Sequence, residues 1–221
     1  MRRANCVQCQ RTITPNTDVD DQKILPKTTP TDAAGLMTDD HAKLDKLIDD
    51  LFAALDDGDR ILSFERLDLL WARLAVHIRA EHLCLFPAIL ETPQTKLTGS
   101  RGAPQYDEAR NALDLLRHDH DFFMRELARA VNIMRKDMTL SDRIVMSGVL
   151  REVRRCVIGV QARLHTHNQL EEEHVYTWVG VLLGEAEQME LTIRIRRELA
   201  NIPPRFNQQE QIDTPDGDIV L

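Results

Sequence analysis

The chain contains few of the residues that favour strands, tight turns or disulfide scaffolds. Aromatic residues make up 5% of its 221 positions, and there are nine glycines, nine prolines and four cysteines. Low glycine and proline content with long runs of Leu, Ala, Arg and Glu favours an all-helical fold, and no alternating strand pattern is present. Four scattered cysteines are too few for a disulfide framework, so reduced thiols are expected.

Long apolar segments and a positive net charge are also lacking. No apolar run approaches the ~20 residues of a transmembrane helix, and no signal-peptide segment follows the basic start of the chain. We therefore expect no membrane association and a cytoplasmic location. The formal net charge of −8 argues against nucleic acids and anionic surfaces as partners. Arginine-rich pieces alternate with apolar residues and glutamates, as solvated helix faces do.

Motifs for chemistry on an organic substrate are missing as well. The sequence shows no nucleophile and base pair, no phosphate-binding loop and no dinucleotide fingerprint. An enzymatic role is therefore not the expected one, although weak oxidase-type turnover stays open.

Two copies of one short pattern are the most informative feature that remains. His77-x-x-x-Glu81 and His167-x-x-x-Glu171 lie 90 residues apart. Residues i and i+4 of a helix share a face, so each pair presents an imidazole beside a carboxylate. Each pair also continues an apolar stripe of helical period, formed by Leu67, Leu70 and Leu74 and by Val153, Val160 and Leu164. Both pairs are thus predicted to point into the core.

Two further histidines occupy inward positions, one in each half of the chain. His41 precedes the stripe Leu44, Ile48, Leu51, and His120 lies within the stripe Leu116, Phe123, Leu127. The dipeptides Asp40-His41 and Asp119-His120 repeat at a distance of 79 residues. This order indicates an internal duplication of a helix with one histidine followed by a helix with His-x-x-x-Glu.

The six inward residues have the composition of a metal site. A buried carboxylate is usually paired, neutralised or bound to metal, because an isolated one is costly in an apolar core. Imidazole and carboxylate ligands suit iron, manganese or zinc. Two ions that each take two histidines and share both carboxylates are the natural arrangement. The predicted metal ligands are His41, His77, Glu81, His120, His167 and Glu171.

The helical periods predict one bundle with tails. Helices are expected over Thr38–Leu55, with Thr38 as N-cap, and over Ser63–Leu90, Gln105–Lys136 and Ser141–Leu183, with a kink or stop at Pro87. Gly184 marks a break before a shorter helix. The expected fold is an all-α, up-and-down antiparallel four-helix bundle. It would span residues 36–185, after a flexible N-terminal arm at 1–35 and before a short helix and mobile tail at 186–221.

The motifs together resemble the hemerythrin-like, HHE cation-binding domain family. The matching elements are Asp40-His41-x-x-Leu44, His77-x-x-x-Glu81-His82-x-x-Leu85-Phe86-Pro87, Asp119-His120 and His167-x-x-x-Glu171-Glu172, within about residues 36–185. The resemblance implies a four-helix bundle around a non-haem diiron centre, with an oxo or hydroxo bridge and with Glu81 and Glu171 as bridging ligands. It further implies binding or sensing of dioxygen or nitric oxide, or the handling of iron.

One position departs from the oxygen-carrying members of that family. They place a second histidine four residues after the histidine of the third helix, where this chain has Met124. A thioether is a poor ligand for oxidised iron, which argues against reversible oxygen carriage. Sensing, nitric oxide binding and iron handling remain.

Three function classes stay open from the sequence. The first is a diiron protein that binds or senses dioxygen or nitric oxide; the second is an iron storage, delivery or iron-centre repair protein. The third is a metal-free interaction bundle. A homodimer or an unknown protein partner is also left open, as are the roles of Cys6-x-x-Cys9 and of His174 and Cys84 as cavity-lining residues. His82, His118 and His165 are expected at the surface or behind the ligands.

Overall fold

A computed structural model describes residues 32–93, 101–137 and 143–206 of the chain. All regular secondary structure in these three ranges is helical, which confirms the predicted all-α class. Within the same ranges, no helix combines the length and the apolarity needed to cross a membrane. The Cys6-x-x-Cys9 motif lies outside the described residues.

Seven α-helices and two π turns make up most of this structure. The helices are α1 (Ala33–Asp56), α2 (Arg60–Ala80), α3 (Phe86–Leu90), α4 (Tyr106–Asp137), α5 (Arg143–Leu170), α6 (Tyr176–Leu182) and α7 (Glu185–Leu199). The first π turn, Glu81–Leu85, joins α2 to α3, and the second, Glu171–Val175, joins α5 to α6. A short 3₁₀ helix, Pro204–Phe206, follows α7. The predicted break at Gly184 is confirmed.

Two helix starts differ from the sequence prediction because aspartates cap them earlier. Thr38 as N-cap of α1 is wrong, since the Asp32 side chain accepts from the Gly35 backbone N–H at 2.7 Å. Helix α2 begins at Arg60 rather than Ser63, because Asp59 accepts from the Leu62 N–H at 3.0 Å. The acidic turn after α1, residues 57–59, thus also provides the N-cap of α2.

Pro87 does not stop the second helical segment, which continues to Leu90 as predicted; an irregular π turn just before Pro87 stands where a kink or stop was expected. The preceding π turn shifts the hydrogen bonding by one residue, so that the Phe86 N–H donates to the Glu81 carbonyl. Pro87 then falls in the first turn of α3, where a missing N–H leaves no helical bond unmade.

The four long helices α1, α2, α4 and α5 contact one another in a closed order. α1 packs on α2, α2 on α4, α4 on α5, and α5 on α1, while α7 lies against α1, α2 and the first π turn. Only residues 57–59 link α1 to α2, which fixes these neighbours as antiparallel. The first half of the molecule is α1 to α3, and the second half is α4 to α6.

Two hydrophobic clusters fill the interior. The link-side cluster lies towards the short connections and includes Leu44, Leu74, Phe123, Leu127 and Leu164. The α7-side cluster includes Met37, Ala80, Phe86, Leu116 and Ile195. Along α1, His41 lies between Met37 of the α7-side cluster and Leu44 of the link-side cluster. In the same way, His77 on α2, His120 on α4 and His167 on α5 each lie between residues of the two clusters. The layer between the clusters is therefore where the predicted ligands meet.

Truncation of Leu127 in the link-side cluster should destabilise the protein strongly. Leu127 is fully buried on α4, so Leu127→Ala removes apolar contacts and leaves a cavity. We expect a loss of about 2–5 kcal/mol in the free energy of unfolding, measured by urea denaturation. Leu115→Ala is the control on the same helix, because Leu115 is 53% exposed. Equal losses for the two variants would contradict the described packing of α4.

Candidate metal centre

The six predicted ligands come together in one buried layer. His41 lies on α1, His77 on α2, His120 on α4 and His167 on α5, while Glu81 and Glu171 are the first residues of the two π turns. None of the six is more than 3% exposed. The helical stripes placed all six correctly, although they lie on six different elements.

Each glutamate lies close to one histidine of its own half and to one histidine of the other half. Glu81 Oε1 lies 3.4 Å from His77 Nε2, and its Oε2 lies 3.0 Å from His120 Nε2. Glu171 mirrors this, with Oε1 at 3.1 Å from His167 Nε2 and Oε2 at 3.2 Å from His41 Nε2. The two carboxylates therefore span the space between two pairs of imidazoles.

The imidazole pairs define two candidate ion positions. Site A is formed by His41 and His77, whose ring centroids are 4.8 Å apart, and site B by His120 and His167, at 4.7 Å. Ligand atoms of His41, His77 and Glu171 lie within 4.8 Å of one another, and so do those of Glu81, His120, His167 and Glu171. A divalent cation fits the donor set at either site.

Hydrogen bonds on the far ring nitrogens orient all four histidines. His77 Nδ1 lies 3.0 Å from Asp40 Oδ2, and His167 Nδ1 lies 3.2 Å from Asp119 Oδ2. His41 Nδ1 lies 2.7 Å from Glu172 Oε1, and His120 Nδ1 lies 2.9 Å from His82 Nε2. A carboxylate only accepts, so Nδ1–H donates in the first three cases. In a neutral ring this leaves the Nε2 lone pair facing the centre, as metal binding requires.

The repeated Asp-His dipeptides have a structural reason. Asp40 and Asp119 do not act on the histidines that follow them; each holds the histidine of the next long helix. Arg73 pairs with Asp40 and Arg163 with Asp119, which keeps both carboxylates charged. Helical periodicity alone could not reveal this cross-helix role, although the repeat itself was visible.

The central carboxylate oxygens lack hydrogen-bond donors. Three of these oxygens, both of Glu81 and Oε1 of Glu171, accept no properly directed hydrogen bond from the described residues. Burial without a donor is costly for a carboxylate, and the facing Nε2 atoms have lone pairs to offer rather than protons when Nδ1 carries the hydrogen. A cation between them would satisfy both groups, so the residues present fit a metal.

Ion pairing within the same groups is the competing, metal-free arrangement. Burial lowers the pKa of His77, but the carboxylates of Glu81 and Asp40 outweigh it and raise that pKa to about 10. Burial likewise lowers the pKa of His167, while Glu171 and Asp119 raise it to about 9. Burial raises the pKa of Glu81, yet His77 and His120 hold it well below its usual range. Protonated His77 and His167 would then balance the two glutamates.

Tyr176 is a residue of the centre that the sequence prediction missed. Its hydroxyl donates to Glu171 Oε2 at 3.2 Å and lies 3.1 Å from His41 Nε2. At the equivalent position of the first half, Phe86 stacks on His120 with an interplanar angle of 7°. Site A therefore has a phenol beside it, and site B a phenyl ring.

The π turns explain why this residue was missed. In each turn the backbone N–H of the fifth residue after the glutamate donates to the glutamate carbonyl, as π-helical bonding requires. The wider turn rotates Phe86 and Tyr176 towards the ligand face, whereas ordinary α-helical spacing would turn them away. The only available signal was the aligned Phe86 and Tyr176 of the duplicated segments.

Among the described residues, the remaining histidines and cysteines lie outside the layer of predicted ligands. His118 and His165 are exposed, and His82 supports His120 from behind, as expected. His174, whose role the sequence left open, is exposed beside Trp178 and does not line the centre. Cys84 is buried in the α7-side cluster. Met124 is half-buried and packs against the link-side cluster.

Comparison of the chain with protein-family models, with curated proteins and with solved structures finds no match. The inference about function therefore depends on the geometry of the centre.

The stability of the metal-free protein should fall as the pH rises. The pKa values of folded His77 and His167, about 10 and about 9, lie above the unfolded value of 6.5, so folding retains protons that the unfolded chain loses. Their contribution is complete below pH 6.5 and is lost as the pH passes 9 to 10. Urea denaturation with a chelator, across this range, measures it.

His118→Gln, an exposed change that leaves the centre intact, is the control and should give the same pH curve. A divalent cation should reverse the trend, because binding displaces the same protons and is favoured at higher pH. If the unfolding free energy of the protein in the presence of chelator stays constant or rises over this pH range, the described ion pairs are contradicted.

Removal of the Tyr176 hydroxyl should weaken the metal-free protein. Tyr176→Phe takes away the donor to Glu171 Oε2 and should cost about 1–3 kcal/mol of unfolding free energy in the presence of a chelator. Tyr106→Phe removes the same hydroxyl at a half-buried position at the start of α4 and is the matched control. If both variants lose equally, the Tyr176 hydroxyl has no special role at the centre.

Proposed function

We propose that this chain is a non-haem diiron protein of the hemerythrin-like type that binds or senses dioxygen or nitric oxide. The observation that carries the proposal is that each of the two buried carboxylates has one oxygen at site A and the other at site B. A single ion would not use two separated imidazole pairs, whereas two ions bridged by both glutamates would use every donor.

The helix arrangement supports the fold that goes with this function. The closed order of contacts among α1, α2, α4 and α5 is what an up-and-down antiparallel four-helix bundle with a short extra C-terminal helix would have. Bundles of this kind hold metals between facing helices, at the level where inward polar side chains interrupt the apolar core. The ligand layer between the two clusters has that position.

The donor set is compatible with iron among the candidate ions. Four imidazoles and two carboxylates are borderline to hard ligands, and the buried thiols of Cys84 and Cys156 belong to the hydrophobic clusters instead. When bound, a ferrous pair supplies reducing electrons and open coordination positions for a diatomic gas. Oxygen-activating bundle sites usually carry more carboxylates, so the histidine-rich set favours gas binding over oxidation of a substrate.

The residues around the ligands would serve a gas-binding centre. The two hydrophobic clusters exclude water from the layer, and Phe123 packs edge-on against His167 at 5.2 Å. Site B is therefore bordered by Phe86 and Phe123, a surface that accepts small apolar molecules. On the opposite side, the Tyr176 hydroxyl can donate a hydrogen bond.

Iron storage, delivery or repair of iron centres is the second candidate. One observation favours it: His41 lines a surface groove of about 260 Å³, so site A has a short path to solvent. An ion could leave by such a path without unfolding of the protein.

Metal analysis of the purified protein tests the proposal. We expect about two iron ions per chain after anaerobic ferrous loading, with optical spectra that change on addition of dioxygen or nitric oxide. His77→Ala and Glu81→Ala should lose iron and the stabilisation it gives, whereas His118→Ala should keep both. Fewer than about one iron per chain, with no gas-dependent spectrum and tolerated ligand substitutions, would instead favour a metal-free bundle.

Iron that passes to an apo-acceptor protein faster than it binds gas would favour the second candidate. The same loaded sample serves for both measurements, so the two functions are separated by relative rates rather than by metal content.

A further inference from the structure

A groove beside site A reaches a predicted ligand. It lies between α1 and α5, has a volume of about 260 Å³, and is lined by His41 together with Asp45, His165, Asn168 and Glu172. A neighbouring cavity shares Asp45 and His165 and adds Asp49, which extends the groove along the same helices.

The mouth of this groove carries cation-binding groups. Asp45, His165 and Glu172 are exposed, so their carboxylates and imidazole can meet a hydrated ion. Glu172 has a second contact, because its Oε1 accepts the Nδ1–H of His41 at 2.7 Å. One carboxylate thus connects the groove to a ligand of site A.

An unpartnered oxygen lies deeper in the groove. Asn168 is only 8% exposed, and its Oδ1 accepts no hydrogen bond from the described residues. A buried amide oxygen normally has a donor or an ion, because its desolvation is otherwise uncompensated. As a buried lining residue of the groove that also contains His41, it could replace part of the water of an incoming cation.

The internal duplication provides a comparison within the same chain. The offsets of 79 and 90 residues pair each groove residue with a position on the opposite face: Asp45 with Met124, His165 with Ala75, Asn168 with Ile78 and Glu172 with His82. None of these four counterparts is a carboxylate. Two positively charged side chains, Arg79 and Arg117, also lie on that opposite side, at the positions that match Gln169 and Thr38 of the groove. The opposite face keeps one exposed carboxylate, Asp121, at the position that matches Ala42 of the groove, so the two faces differ in the number of acidic groups and in the two arginines.

We propose that this groove is a transit site, in which the charges of Asp45 and Glu172 and the imidazole of His165 attract a divalent cation that passes Asn168 on its way to Nε2 of His41. The proposal rests on the proposed function as a metal centre and adds the direction of loading: site A fills first. The ion changes ligands without a change in its oxidation state, from water and carboxylate oxygens to imidazole nitrogen.

Stopped-flow loading of the chelator-treated full chain with Co²⁺ tests the proposal, because the visible absorption of Co²⁺ reports its entry. Asp45→Asn and His165→Gln should each slow loading about two- to fivefold at low ionic strength, with the final Co²⁺ content unchanged. The slowing by Asp45→Asn should shrink as salt is added, because exposed charges are screened. Asn168→Ala should slow loading without this salt dependence.

Asp121→Asn is the matched control, since Asp121 is an exposed carboxylate close to His82 on the opposite face. Loading at the wild-type rate by all three groove variants would overturn the transit site and leave the proposed function standing. Equal slowing by Asp121→Asn would reduce the effect to overall charge, and a lower final content in Asp45→Asn would make Asp45 a holding ligand; either overturns the proposal. A wild-type chain that takes up neither Co²⁺ nor Fe²⁺ overturns both proposals.

Discussion

Burial of two carboxylates in an apolar core is the constraint on which the rest of this structure depends. Glu81 and Glu171 have no exposure to solvent, and the water they lose must be replaced by other groups. Four imidazoles surround them, and each imidazole is held in turn from its far nitrogen. The Asp-His and His-x-x-x-Glu elements supply the glutamates, the imidazoles and two of the four groups behind them; Glu172 and His82, each directly after a glutamate, supply the other two.

The sequence was sufficient to predict the buried layer of histidines and glutamates and the helices that form it. A period of 3.6 residues places His41, His77, His120 and His167 on apolar stripes, and the spacing of the duplicated elements shows that they belong together. Capping was harder to predict, because Asp32 and Asp59 stand just outside the stripes that mark the helices.

Interactions between helices could not be read from the sequence in the same way. Asp40 acts on His77 of the next helix, which follows only once α1 and α2 are placed side by side. The π turns at Glu81 and Glu171 were also invisible, since a shift of one hydrogen bond leaves composition and periodicity almost unchanged. Tyr176 was missed because its position depends on that shift. Both π turns among the described residues thus begin at the glutamates of the centre, and π turns inside helices are frequent at functional sites.

The exchange of carboxylates between the two halves has a mechanical consequence. Each helical hairpin, α1–α2 or α4–α5, orients the histidine of its second helix through the aspartate of its first helix. The glutamates instead contact the other half: Glu81 reaches His120, and Glu171 reaches His41. Neither hairpin can complete either ion position alone, so bound ions would join the two hairpins in addition to the hydrophobic clusters that they share. A change in ionic charge or radius would then act on the seam between the hairpins. Such a seam could turn a change at the metal into a relative movement of whole helices.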